Sequence, residues 1–239
     1  MASWSNHAAI AAPRNGTTSH MLVSPSTGTL VAGAYFTPTA GRLLVCVVEG
    51  AVTSSLSSGW TQPTGGSAVG STGLYVWWRQ STMGMDTIGT THNGSNFPVV
   101  FDWFEFPAGS TFVAATSAIN VANSSSGPTL SGLTGTNHLF GALGQDNSGA
   151  TTQTVTWTTG TKQVDTSTPL ASATDGYTYS LTCTPDSTAT SVSFAGSSTS
   201  GINLERLVFA VNIVAGSATP VAQPPVIVRT QAIVRASRW

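Results

Sequence analysis

Asp102 and Glu105 stand three residues apart in the run FDWFEF. A carboxylate pair is the simplest arrangement that hydrolyses a glycosidic bond, one acid protonating the leaving oxygen while the other attacks or activates water. Both groups must then face the same bond. The surrounding run, PVVFDWFEF over residues 98–106, is β-branched and aromatic, which predicts a strand. Alternation along a strand sends Phe101, Trp103 and Glu105 to one face and Asp102, Phe104 and Phe106 to the other. Without a bulge the two acids diverge, and they read as polar positions on a packed strand.

The other reactive side chains give no constellation. His7, His20, His92 and His138 show no H-x-H or H-x₃-H spacing. The acidic turns DNSG and TDGY lack the alternating oxygens of a calcium loop. No G-x-S-x-G elbow is present, and no Gly-rich loop opens into a helix. The chain is therefore expected to be no enzyme, with no catalytic residue, no metal and no cofactor. Cys46 and Cys183 fall inside the apolar runs LLVCVVEG and YTYSLTCTP and read as small buried hydrophobes, a bridge between them being the alternative. Aromatic rings offer one more chemistry, stacking on sugars. Trp60, Trp77, Trp78 and Trp103 are the candidates, either as glycan contacts or as packing. Adjacent Trp77 and Trp78 must point to opposite faces, so one of them belongs to a core.

The composition narrows the partners. Only 7% of the 239 residues are charged, and the formal net charge is −1. Such a balance argues against nucleic-acid binding, which requires a basic stripe. No apolar run approaches the roughly 18 residues of a membrane-spanning helix. The opening MASWSNHAAIAAPRNG lacks the basic and apolar regions of a signal peptide, so no secretory route is expected. A surface kept soluble by hydroxyls has lost the usual brake on association, and copies of the chain or other proteins are the expected partners.

Strands must position whatever the chain presents. Short β-branched or aromatic runs recur at TLVAGAYF, RLLVCVVEG, LYVWWRQ, PVVFDWFEF, TFVAATSAINVA, HLFGALG, TQTVTWTT, YTYSLTCT, TSVSFAG and RLVFAVNIVA. Gly-, Asn- and Ser-rich turns separate them. This spacing predicts an all-β protein, a single antiparallel β-sandwich of jelly-roll-like type. RLLVCVVEG and RLVFAVNIVA are nearly continuous apolar runs, as central strands buried on both faces would be. In TQTVTWTT, Val155 and Trp157 share one face and threonines the other. The blocks 53–72 and 123–136 read as long loops at the sandwich ends. The expected division is a segment 1–19 (edge strand or arm), a sandwich over 20–215, and a Pro-rich linker with an extended arm over 216–239.

That last stretch, PVAQPPVIVRTQAIVRASRW, differs from all that precedes it. Its units IVRTQA and IVRASR repeat with a step of six, which returns to the same face in a strand but advances about 240° in a helix. One face of the extended arm carries Val226, Val228, Ala232, Val234 and Ala236, and the other Arg229 and Arg235. An apolar face needs a surface, and an extended backbone needs an edge to join. Val226, Val228, Arg229, Val234, Arg235, Arg238 and Trp239 are thus the expected interaction residues, with Trp239 as an anchor.

The middle of the chain resembles a known module. SGWTQPTGGSAVGSTGLYVWWRQSTMGMDT followed by VVFDWFEFPAG is similar to a recurrent pattern in structural proteins of tailed bacteriophages. The matching positions are Gly59, Trp60 and Thr61; Tyr75, Trp77, Trp78 and Arg79; Asp86 and Thr87; and Trp103, Phe104, Glu105, Phe106 and Gly109. The family usually has Lys where this chain has Arg79, whose guanidinium can stack on Trp77 or Trp60. The resemblance covers roughly residues 25–215 and follows a style of strand and turn. It implies a virion β-sandwich of the minor tail or fibre-associated type, assembled in the host bacterial cytoplasm. Other virion proteins and copies of the chain are the implied partners. Head decoration, and recognition of a host surface glycan, are the alternatives.

Overall fold

The computed structural model describes residues 5–12, 19–23, 41–50, 52–53, 59–70, 73–81, 87–92, 99–121, 126–148, 154–168, 175–199 and 204–213. In chain order its strands begin with β1 Ser5–Ala12, β2 Ser19–Val23, β3 Arg42–Gly50, β4 Val52–Thr53, β5 Ser67–Val69 and β6 Gly73–Gln80. Next come β7 Thr87–His92, β8 Val99–Ala108, β9 Thr111–Val121, β10 Leu130–Ser131, β11 Asn137–Ser148 and β12 Val155–Trp157. The series closes with β13 Thr161–Thr168, β14 Asp175–Ser187, β15 Ser191–Val192, β16 Gly196–Ser198 and β17 Leu204–Asn212. No helix occurs among the described residues.

Two five-stranded antiparallel sheets face each other. Sheet one runs β1-β8-β3-β6-β5 and sheet two runs β13-β14-β11-β17-β9. Sheet one comes wholly from residues before 109 and sheet two wholly from residues after 110. Period-two alternation builds the shared core. Leu43, Val45 and Val47 of β3, Leu74 and Val76 of β6, and Phe104 and Phe106 of β8 meet the other sheet from one side. Phe140 and Ala142 of β11, Tyr179 and Leu181 of β14, and Leu207, Phe209 and Val211 of β17 meet them from the other. This is the antiparallel sandwich that the strand spacing predicts.

The two continuous apolar runs occupy inner positions in their sheets: β3 lies between β8 and β6, and β17 between β11 and β9. Both are buried on both faces. For β17 the second cover is visible. Leu130, Leu133 and Phe194 pack with Leu139, Val208 and Ala210 on the outer face of sheet two, with Trp157 and Val192 at the margin. The small sheets β10-β15 and β12-β16 hold this outer layer together. Val155 is buried and Thr156 exposed, as the alternation of TQTVTWTT requires. Of the block 123–136, the described residues 126–136 are mostly loop as expected, but they carry β10, and Leu130 and Leu133 close that layer over sheet two.

Two further features concern edges. β1 pairs with β8 at the edge of sheet one, the edge-strand alternative for the segment 1–19. β13, TKQVDTST, forms the edge of sheet two with almost no apolar residue to announce it. The run TLVAGAYF and the whole arm from residue 214 onward lie outside the described residues.

Candidate functional site

The loop 59–66 brings the matched aromatic and basic positions together. Gly59 sits at φ 97°, a backbone that side chains rarely adopt, and a Cβ there would also meet the Arg79 guanidinium at 3.3 Å. Only glycine lets the chain turn this tightly over the arginine. Thr61 and Trp78 then exchange backbone hydrogen bonds of 2.8 and 3.0 Å, fixing the loop alongside β6. Between them Trp60 is 9% exposed, with the Arg79 guanidinium 5.8 Å from its ring centroid. Arg79 therefore stacks on Trp60, the second of its two candidate partners.

The remaining candidate tryptophans divide by alternation. Trp78 turns into the sandwich and stacks on Phe112 of the opposite sheet, 6.0 Å between centroids and 7° between planes. Trp77 lies half-buried on the outer side of sheet one. The side chain of Trp103 lies outside the described residues, as do Val226, Val228, Arg229, Val234, Arg235, Arg238 and Trp239.

The acids follow the strand geometry. Asp102 pairs in register with Val47 on the inner face of sheet one, while Glu105 pairs with Leu44 on the outer face. There Glu105 accepts from Arg42 Nε at 3.4 Å. Asp102 is fully buried and accepts a hydrogen bond from the Tyr179 hydroxyl at 2.8 Å. Burial first, and the Asp102 carboxylate second, push the Tyr179 phenol well above its ordinary range, so it stays a donor.

Two more acids share that end of the core. Glu205 lies across from Gly144, and Gly144 across from Tyr179, so the three form one row across sheet two. Glu49 of sheet one comes down on Gly144, where any Cβ would strike its carboxylate. Glu49, Asp102, Tyr179 and Glu205 thus form a polar layer of which no member is more than 1% exposed. The sequence reading weighed the acids of FDWFEF and of the turns DNSG and TDGY, and missed this layer. The available signal was charge inside apolar runs, Glu49 in RLLVCVVEG and Glu205 at the head of ERLVFAVN, in a chain with only nine acids. A layer so enclosed offers a substrate no approach, and no group of three or more His, Cys, Asp or Glu among the described residues is arranged to hold a metal.

Arg206, beside Glu205, points to the opposite face and is 1% exposed. Its Nη1 donates to the Phe194 carbonyl at 3.4 Å and its Nη2 to the Gly196 carbonyl. The planar fork therefore ties the outer layer to β17. The recess around it, lined by Gly127, Gly141, Trp157 and Phe194, has no room for a water molecule. Cys46 and Cys183 are both buried thiols, Cys183 in the core and Cys46 on the outer side of sheet one. Burial pushes Cys183 up to about 12, so neither its place nor its ionisation suits a nucleophile.

His138 gives the fold a pH dependence. Its ring is 2% exposed, and Nδ1 accepts the Asp186 backbone N–H at 3.3 Å, which requires a neutral imidazole. Burial lowers its pKa, and the Asp186 carboxylate 3.8 Å away opposes that in part. A depressed folded pKa contributes stability above the unfolded value of about 6.5 and loses it as pH falls through the folded one. The thermal midpoint is therefore expected to fall as pH drops below about 6.5, and His138→Gln to lack that component. Melting curves of both proteins between neutral and mildly acidic pH measure the difference.

Comparison of the chain with family models, with curated proteins and with solved structures finds no match. The fold and the placement of charge carry the functional argument.

Proposed function

We propose that this chain is a non-enzymatic virion structural protein of a tailed bacteriophage, a minor tail or tail-tip component that assembles through its sandwich and C-terminal arm. One observation carries the reading: the sandwich uses its cations internally. Arg42 meets Glu105, Arg79 covers Trp60, Lys162 donates to the Val155 carbonyl, and Arg206 holds Phe194 and Gly196. Of the four cations left among the chain's eight, Arg14, Arg229, Arg235 and Arg238, three belong to the arm. A body with so little charge at its surface, joined to an apolar and basic arm, fits a protein that works packed against neighbours. The resemblance of Gly59-Trp60-Thr61 and the strand ending in Arg79 to a phage structural module supports the virion setting.

The alternatives differ in where the protein would be found. A head decoration protein would sit on the capsid, and a receptor-recognition module would bind host glycan through a partly exposed aromatic such as Trp77. Antibody labelling of purified particles is expected to mark the tail. Absence of the protein from washed particles would overturn the reading, and labelling of the head would replace it with decoration.

A further inference from the structure

Val69, Val113 and Ile119, the large hydrophobic side chains exposed among the described residues, lie along one side of the sandwich, at 55%, 42% and 48% exposure. Val69 ends β5, the edge of sheet one, and the other two belong to β9, the edge of sheet two. The β5 side of sheet one contacts β9 and the neighbouring β17. Gly65 lies against the Ala115 carbonyl, Ser117 Oγ donates to the Ser67 carbonyl, and Gly70 abuts Glu205. Val69 and Ile119 each lie two residues beyond the Ser67–Ser117 contact, on the same edge of the sandwich.

The register of β9 on β17 explains the exposure. Phe112 faces Val211 and Ala114 faces Ala210, which leaves Val113 as an inserted residue. Further on, Ala118 faces Arg206 and Val121 faces Leu204, so Ile119 and Asn120 together oppose Glu205. Both are β-bulges, and a bulge re-aims a side chain out of the ladder. Each of these turns one apolar side chain outward. Neither β9 nor the loop 59–70 holds a charged residue, whereas β13 at the other edge of sheet two has Lys162 and Asp165. Charge on an edge discourages pairing, and this edge lacks it.

We infer that this strip receives residues 226–236 of a second copy of the chain, with Val228 and Val234 seated at its two ends. The inference rests on the assembly reading above and adds to it the receiving surface. Val113 and Ile119 are six residues apart, and so are Val228 and Val234. In extended chain both pairs span about 20 Å. The uncharged strip meets the arm's apolar face and leaves Arg229 and Arg235 facing away, toward water. Pro220, Pro224 and Pro225 favour an extended, stiff linker, a composition suited to presenting the arm to another copy.

Sedimentation of full-length protein tests this with two double variants. Val113→Asp with Ile119→Asp spoils the strip, and Val228→Asp with Val234→Asp spoils the arm. Wild type is expected to associate, and each variant to associate at least about tenfold more weakly. An equimolar mixture of the two is expected to recover a dimer, since one copy keeps an intact strip and the other an intact arm. Thermal midpoints near wild type would show that both variants fold. If the strip variant associates normally while the arm variant does not, the arm docks elsewhere and this inference fails with the assembly reading intact. It fails equally if both variants dissociate and their mixture does not recover, or if only the strip variant dissociates. A wild type that stays monomeric, with its strip shielded from exchange, would mean the arm folds back on its own body, and the assembly reading would fail as well.

Discussion

Phe140→Ala is expected to lower stability by about 3–5 kcal/mol, the ordinary cost of a fully buried phenylalanine. For a chain of this size that corresponds to a fall of roughly 6–20 °C in thermal midpoint. Phe140 stands where the two sheets meet. Its ring stacks on Phe209 at 4.8 Å and touches Phe104 and Phe106 of the opposite sheet, each at 5.8 Å. Removing it empties a space lined by three aromatic rings on both sheets, and strands fixed by their ladders cannot close it. Differential scanning calorimetry reads the effect. A loss below about 1 kcal/mol would mean that the sheets do not share this core.

Much of that core was legible in the sequence because strands have period two. PVVFDWFEF fixes which of its residues face inward, and the divergence of Asp102 from Glu105 follows from the same alternation. The continuous runs around Cys46 and Phe209 announce strands covered on both sides. What covers them was not legible. The outer layer over sheet two is made by short segments around Leu130, Val155 and Phe194; the last two read as strands and the first as a loop, but no local pattern says that the three fold over β17. The polar layer escaped for a different reason. Glu49, Asp102, Tyr179 and Glu205 come from four strands, and only the pairing register brings them to one end of the core. Register is a long-range property, set by how the sheets assemble and not by any local pattern. The bulges that expose Val113 and Ile119 are invisible to the sequence on the same ground.

Trp60→Ala is the second change expected to be costly, again about 3–5 kcal/mol. The ring is nearly buried between its own loop and the Arg79 guanidinium, so its loss removes both packing and a cation–π contact. A thermal melt distinguishes this from a sugar-binding role. An unchanged midpoint together with lost adsorption to host cells would make Trp60 a receptor contact and not a packing residue.

If the protein is built into a particle through its arm, deletion of residues 222–239 should abolish its incorporation. The truncated chain should melt cooperatively near the wild-type midpoint, since the shared core described here lies entirely before residue 214. Particles assembled with it in place of the full chain should contain none of it when purified and probed. Incorporation at the wild-type level would show that the body assembles without its arm.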